Sequence, residues 1–157
     1  MKDYDDFLVS LRQITRAIDL HSKKIQKQSG LTTSQLLVLE AIQKLDAPTP
    51  KAIASEIVLS QATVTSIVDR LEKRGLLRRE KSQKDKRSVQ ITLASEGESI
   101  LQDAPDLLQT EFLQKYRKLD AWEQQMLLAS LSRIAAMMNA EDLDAAPILT
   151  SGEINLQ

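Results

Sequence analysis

The stretch Ser60–Gly97, SQATVTSIVDRLEKRGLLRREKSQKDKRSVQITLASEG, changes its hydrophobic period midway. In its first part Val64, Ile67, Val68 and Leu71 recur at helical spacing, with Ser60 ahead of them as a cap and Gly75 after them as a stop. Beyond Gly75 the period falls to two. Leu77–Lys81 reads as one strand, and Ser88–Leu93 alternates with Val89, Ile91 and Leu93 on one face. The polar run Ser82–Arg87 between them is turn-forming. The stretch therefore predicts a helix followed by a β-hairpin wing with a basic tip.

Upstream, Thr49-Pro50 signals another helix start, and the short segment KAIASEIV buries Ile53, Ala54 and Ile57. Two short helices about three residues apart form a helix-turn-helix unit. Before them, Thr32 and Gln35 have capping-box spacing at the start of a Leu- and Val-rich helix running to about Leu45. The first segment, Asp5 to Gln28, carries Phe7, Leu11, Ile14, Ile18 and Ile25 on one stripe, His21 fills the missing step, and Gly30 ends it. Downstream, Ser95 and Glu98 predict a capping box opening a helix from about Glu96, which Pro105 kinks or restarts. Its pattern continues through Leu107, Leu108, Phe112 and Tyr116. Asp120 and Glu123 cap a last helix bearing Met126, Leu127, Leu131, Ile134, Met137 and Met138. From Asn139 the chain is aperiodic and contains Pro147 and Gly152. Residues 141–157 are expected to be a mobile acidic tail, with Ile148, Leu149, Ile154 and Leu156 available to a partner.

Composition narrows the chemistry. There are 157 residues, enough for one domain with a sizeable core. Without cysteine, thiolate metal sites and thiol redox sensing are excluded, and a single histidine leaves too few imidazoles for a transition-metal site. Four glycines supply no phosphate-cradling loop motif. No enzyme and no cofactor is expected. No apolar run approaches the ~18 residues of a membrane span, and the acidic start does not fit a signal peptide, so a cytoplasmic protein without membrane contact is expected.

The net charge of −1 conceals a segregation. Residues 51–93 hold ten Lys and Arg against five Asp and Glu, a net of +5, which leaves −6 on the rest. A basic middle in an acidic chain marks where a polyanion docks. A basic helix face is ordinarily just solvated. The conjunction of two capped helices, a glycine stop and a basic wing is what points to duplex DNA. A helix entering the major groove must keep one face apolar against its support and offer small polar groups on the other. Gln61, Ala62, Thr63, Thr65 and Ser66 fit that face, with Ser60 at its cap. Gln61 suits adenine, and Ala62 or Thr63 a thymine methyl. Arg70, Lys73 and Arg74 are expected at phosphates, and Lys84, Lys86 and Arg87 at the wing tip, where arginine suits a narrow minor groove.

The same stretch resembles the winged-helix core of the MarR family of transcription regulators, most specifically in VDRLEKRGLL, in the wing signature Asp85-Lys86-Arg87-Ser88 and in ITLASEG; LTTSQLLVLEAI is similar to the family's second helix. The resemblance spans about residues 5 to 140. It implies a mainly α fold with a small β-wing: a winged helix-turn-helix region over 31–95, and a helical dimerisation region from 1–30 and 96–140. It implies an obligate homodimer, base contacts at Gln61, Ala62, Thr63 and Ser66, a minor-groove arginine at Arg87, and Asp85 orienting the wing by pairing with Arg87 or Arg70. The terminal stripes support the dimer separately, since a helix needs another face to cover such a stripe. Folding back within one monomer is the alternative. Relatives bind small anionic or phenolic effectors between the two regions; for this chain a small ligand or osmotic conditions remain open as the releasing signal. His21 is read first as a satisfied structural histidine and second as a ligand contact. Arg16–Gln35, RAIDLHSKKIQKQSGLTTSQ, is also similar to members controlling ectoine (compatible-solute) synthesis genes. The expected function is a repressor on an inverted-repeat operator. The rival is a protein-interaction adaptor on a winged-helix scaffold that does not read DNA.

Overall fold

A computed structural model describes residues 3–143, 145–151 and 154. The chain begins with a long helix, α1 (Asp3–Ser29), and continues through α2 (Thr33–Leu45), α3 (Pro50–Ile57) and α4 (Gln61–Lys73). A hairpin follows, β1 (Leu77–Lys81) and β2 (Val89–Leu93), and then α5 (Ser95–Asp103), α6 (Leu108–Tyr116) and α7 (Ala121–Met137).

The predicted caps open α2, α3 and α4, and a predicted glycine ends α4. Thr32 Oγ1 accepts the Gln35 amide at 3.2 Å while Gln35 Oε1 accepts the Thr32 amide at 3.1 Å, closing the capping box of α2. Thr49 Oγ1 takes the Ala52 amide and Ser60 Oγ the Thr63 amide, both at 3.1 Å, which opens α3 and α4. At the far end of α4, Gly75 adopts φ +74; its amide bonds Glu72 O at 2.9 Å and that of Leu76 bonds Leu71 O at 3.0 Å. That pair of bonds is a Schellman stop, and the positive φ is why glycine stands there. The turn between α3 and α4 has no such relief. Val58, β-branched and 66% exposed, is held at φ +56.

The core sits under the helix-turn-helix unit. Leu36, Val38 and Leu39 of α2, Ile53 of α3 and Val64, Val68 and Leu71 of α4 are fully buried, joined by Leu77, Ile91 and Leu107. The strands pair antiparallel with Leu77 opposite Leu93, Arg79 opposite Ile91 and Lys81 opposite Val89. Pro48 O accepts the Ile91 amide at 2.9 Å, so the loop before α3 holds the hairpin to the core. Val89 lies on the expected strand face but beyond the core edge, and it is exposed.

One expectation is corrected downstream of the wing. The cap of α5 is Ala94, without a side-chain bond, and Ser95 is the first helical residue. The Ala94 amide is engaged with Leu76 O at 3.0 Å, and its carbonyl takes the Glu98 amide at 3.0 Å, so backbone pairing to the strand sets the start. Gly97 then packs so closely that an added Cβ would lie 2.1 Å from Leu76 O. At Pro105 the pattern breaks into two helices, with Ala104–Leu107 as linker between α5 and α6. Asp120 does open α7, its amide donating to Glu123 Oε2 at 2.9 Å.

The terminal helices differ from this core. Among the described residues α6 and α7 bury no side chain, and α1 buries only Ile25. Phe7, Ile14, Phe112, Trp122, Met126 and Leu131 are all exposed in the single chain. Among the described residues these stripes stay largely uncovered within the single chain.

Candidate nucleic-acid interface

The buried residues of α4, namely Val64, Ile67, Val68 and Leu71, fix which face it shows. Gln61 with Thr65, and Ala62 with Ser66, stand four apart and so form adjacent pairs on the opposite side, all exposed. This outward surface is short and uncharged. Ser60 is exposed, while Thr63 is half-buried with its hydroxyl 2.7 Å from Ser60 Oγ. The Thr65 hydroxyl donates to Gln61 O at 2.8 Å, leaving its methyl and lone pairs to meet a partner. An open depression of about 480 Å³, lined by Lys51, Ala54, Ser55, Val58, Leu59 and Gln61, adjoins the start of this helix.

The cations divide into two sets. Lys73, Lys84, Lys86 and Arg87 are exposed, and so are Lys51, Arg78 and Lys81, to which the sequence pattern assigns no role. Arg70 is half-buried and engaged in contacts of its own. Arg74, expected at a phosphate, is exposed and donates from Nη1 to Gly30 O at 3.0 Å, which ties the end of α4 to the end of α1.

Arg79 has a structural role that sequence reasoning missed. It bridges Asp69 and Glu72 of α4 from the strand β1. Partial burial draws the guanidinium pKa down, but the bonds to the two carboxylates outweigh it and hold the group above its ordinary value. The bridge fastens the root of the wing to the helix and neutralises two acids that would repel phosphate. Strand alternation was the available signal, since Arg79 shares a face with buried Leu77 and such a cation requires partners.

The wing tip is built from backbone amides. Ser82 is buried, and its Oγ accepts the amides of Lys84 at 3.2 Å and Asp85 at 3.3 Å. Asp85 Oδ1 accepts the main-chain N–H of Arg87 at 3.0 Å. Asp85 thus orders the wing through this amide, where a guanidinium partner was expected; the guanidinium–carboxylate bridge is at Arg79. Ser88 is half-buried, and its amide bonds Asp85 O at 2.9 Å. These bonds leave the Arg87 side chain exposed.

His21 lies away from this surface. Its Nε2 faces Asp106 O at 2.7 Å and so carries the proton, linking α1 to the α5–α6 linker. That fits a satisfied structural histidine. Nearby, burial first and Asp106 second push the Glu40 carboxyl above its ordinary pKa. No helix of the described residues is long and apolar enough to cross a membrane, and no cluster of metal-ligating residues occurs among them.

The MarR family model matches residues 31–89. The uncharacterized HTH-type transcriptional regulator YsmB of Bacillus subtilis is 33% identical over 98 residues, which is 62% of this chain and 67% of that one. Among solved structures, YusO of Bacillus subtilis superposes with a TM-score of 0.56 at 23% identity, over 85% of this chain and 94% of that one. A variant of S. aureus MepR bound to an oligodeoxyribonucleotide superposes with a TM-score of 0.54 at 17% identity, over 88% and 99% of the two chains. The fold agrees with theirs, and the sequence match covers α2, α3, the capped helix α4, β1 and the wing tip: the chain belongs to the MarR family of winged helix-turn-helix transcription regulators, and is a DNA-binding regulator rather than an enzyme.

Proposed function

We propose that the protein is a repressor that binds an inverted-repeat operator as a homodimer. The observation that carries this reading is the division of α4 into a buried apolar face and an exposed face of Gln61, Ala62, Thr65 and Ser66, beside a wing whose tip cations are exposed. In this reading α4 enters the major groove, where Gln61, Ala62, Thr63, Thr65 and Ser66 meet base edges. Ser60, Arg70 and Lys73 serve the phosphates near the helix. Arg87 enters the minor groove, with Lys84, Lys86 and Ser88 on the flanking backbone and Asp85 ordering the turn. Arg74 contributes by holding α4 to α1.

Residues 1–30 and 96–140 supply the dimer interface. Their exposed apolar residues are too many and too large for the surface of a stable monomer. Burial across a two-fold axis covers them and sets two reading helices about one DNA turn apart, roughly 34 Å. Occupancy of the operator blocks transcription. Release comes from a small effector bound between the two regions, or from ionic conditions, because phosphate contacts weaken steeply with salt.

Selection from random duplexes tests the reading. The full chain should enrich an inverted repeat. Gln61→Ala or Ser66→Ala should relax preference at particular base pairs, with discrimination at each falling by ~1–3 kcal/mol. A chain that enriches no duplex at low salt, or variants that keep the parental preference, would overturn it. The first result would favour an adaptor that does not read DNA.

A further inference from the structure

The segment after α7 makes contacts that the sequence pattern does not show. Asn139 at φ +53 ends the helix, and the Ala140 amide returns to Ala135 O at 2.9 Å. Pro147 then sits in a tight turn in which the Ile148 amide bonds Ala146 O at 2.7 Å. The proline presets that turn and lowers the entropy cost of reversing the chain. From there the backbone runs back over two helices far away in sequence. The Leu149 amide donates to Gln109 Oε1 of α6 at 3.2 Å, and the Ser151 amide to Ser22 Oγ of α1 at 3.2 Å. Ser22 can accept this bond because its own proton already goes to Ile18 O, 3.0 Å away. Ile148 and Leu149 are half-buried, and Ile154 packs against the core cluster under the reading unit. Gly152 and Leu156 lie outside the described residues.

These contacts converge where the helical region meets the reading unit. On the same spot His21 of α1 bonds Asp106 of the linker, and Leu107 enters the core. The segment therefore touches α1, α6 and the core together. We propose that Ala146–Ser151, with Ile154, is an intramolecular clasp that fixes the setting of α1 and α6 against the reading unit and so pre-organises it for duplex DNA. Among the described residues, two backbone amides donating to side chains and the partly buried Ala146, Ile148, Leu149, Thr150 and Ile154 hold it, few enough contacts for a signal to shift the segment between clasped and open states. An opened clasp lets the two regions sample several settings, only some of which fit an operator.

The chain has no cysteine, so labels can be placed at will. Gln83→Cys in the wing and Gln114→Cys in α6 are exposed sites outside the clasp. Spin labels there report the distance between the two regions, measured in labelled chain diluted with unlabelled chain. The full chain should give one narrow distribution. Ile154→Asp should broaden it, and so should the milder pair Ser22→Ala with Gln109→Ala, which removes only the acceptors. Each should also lose about fivefold to tenfold in affinity for a duplex selected by the full chain, as expected when a binding-competent setting is only fractionally populated. A narrow distribution in both variants overturns the clasp, and so does a broadened one with undiminished duplex affinity. The functional half of the proposal rests on the DNA reading above. Should the full chain select no duplex, that reading fails, while the distances still decide whether a clasp exists.

Discussion

The reading unit and the terminal helices are built from the same kinds of residue, yet they reach different ends. In α2, α3 and α4 each apolar face lies against another element of the same chain, and Leu36, Leu39, Ile53, Val64 and Leu71 are fully buried. In α1, α6 and α7 comparable stripes stay open, with Trp122, Met126, Leu131 and Met137 all more than half exposed. The difference is in connection, not composition. Short turns fold the first three helices onto each other and the hairpin closes beneath them. Among the described residues the terminal helices find little cover within the chain, and the proposed homodimer would bury them.

The same substitution on the two sides should separate them. Leu39→Ala opens a cavity in a closed core and should cost about 2–5 kcal/mol in denaturant unfolding. Leu131→Ala removes a side chain that is exposed in one chain. Its main effect should be a shift of the dimer–monomer midpoint in sedimentation, and a midpoint that does not move would place the seam elsewhere. Next in size is the joint between the regions. Gly97→Ala pushes a Cβ against the Leu76 carbonyl and should destabilise by about 1–3 kcal/mol, since backbone must give way on one side.

A smaller contrast lies between two arginines. Arg87→Ala should weaken binding to every duplex and reduce the slope of log affinity against log salt by about one. Arg74→Ala should leave that slope unchanged and cost about 1 kcal/mol of stability, because its guanidinium holds the Gly30 carbonyl. Equal slopes in wild type and Arg87→Ala would remove the wing from the interface. The smallest effect concerns Glu40. Burial, then Asp106, raise its pKa in the fold, so the fold favours the protonated form. Its contribution to stability is full below the ordinary glutamate value and is lost as pH climbs to the raised one. Glu40→Gln should match wild type in acid and exceed it modestly at neutral pH in paired thermal melts. Identical melts at neutral pH would place Glu40 in a wetter site.

The reading helix and the wing were legible because their signals are local. A cap oxygen sits three residues from the amide it accepts, a Schellman glycine adjoins the helix it ends, and strand alternation is visible within six residues. What escaped was set by contacts distant in sequence. Ala94 caps α5 because Leu76, eighteen residues earlier, claims its amide. Arg74 and Arg87 look alike in a charge count. Only the position of Gly30 shows that Arg74 is already employed, and only the path of β1 over α4 brings Arg79 to Asp69 and Glu72. The segment after Asn139 has no periodicity to read, since its hold on the chain comes from backbone amides meeting Gln109 and Ser22.

By itself the sequence determined the helices of the helix-turn-helix, the hairpin, the small polar face of α4 and the concentration of positive charge in the middle of the chain. All of these follow from periodicity and from hydrogen bonds spanning a few residues. Tertiary structure decided which cations stay exposed, where α5 begins, how closely Gly97 meets the strand, and that the terminal stripes remain uncovered within one chain. Those outcomes depend on which distant groups come within a few ångströms of each other, and a linear pattern does not carry that distance.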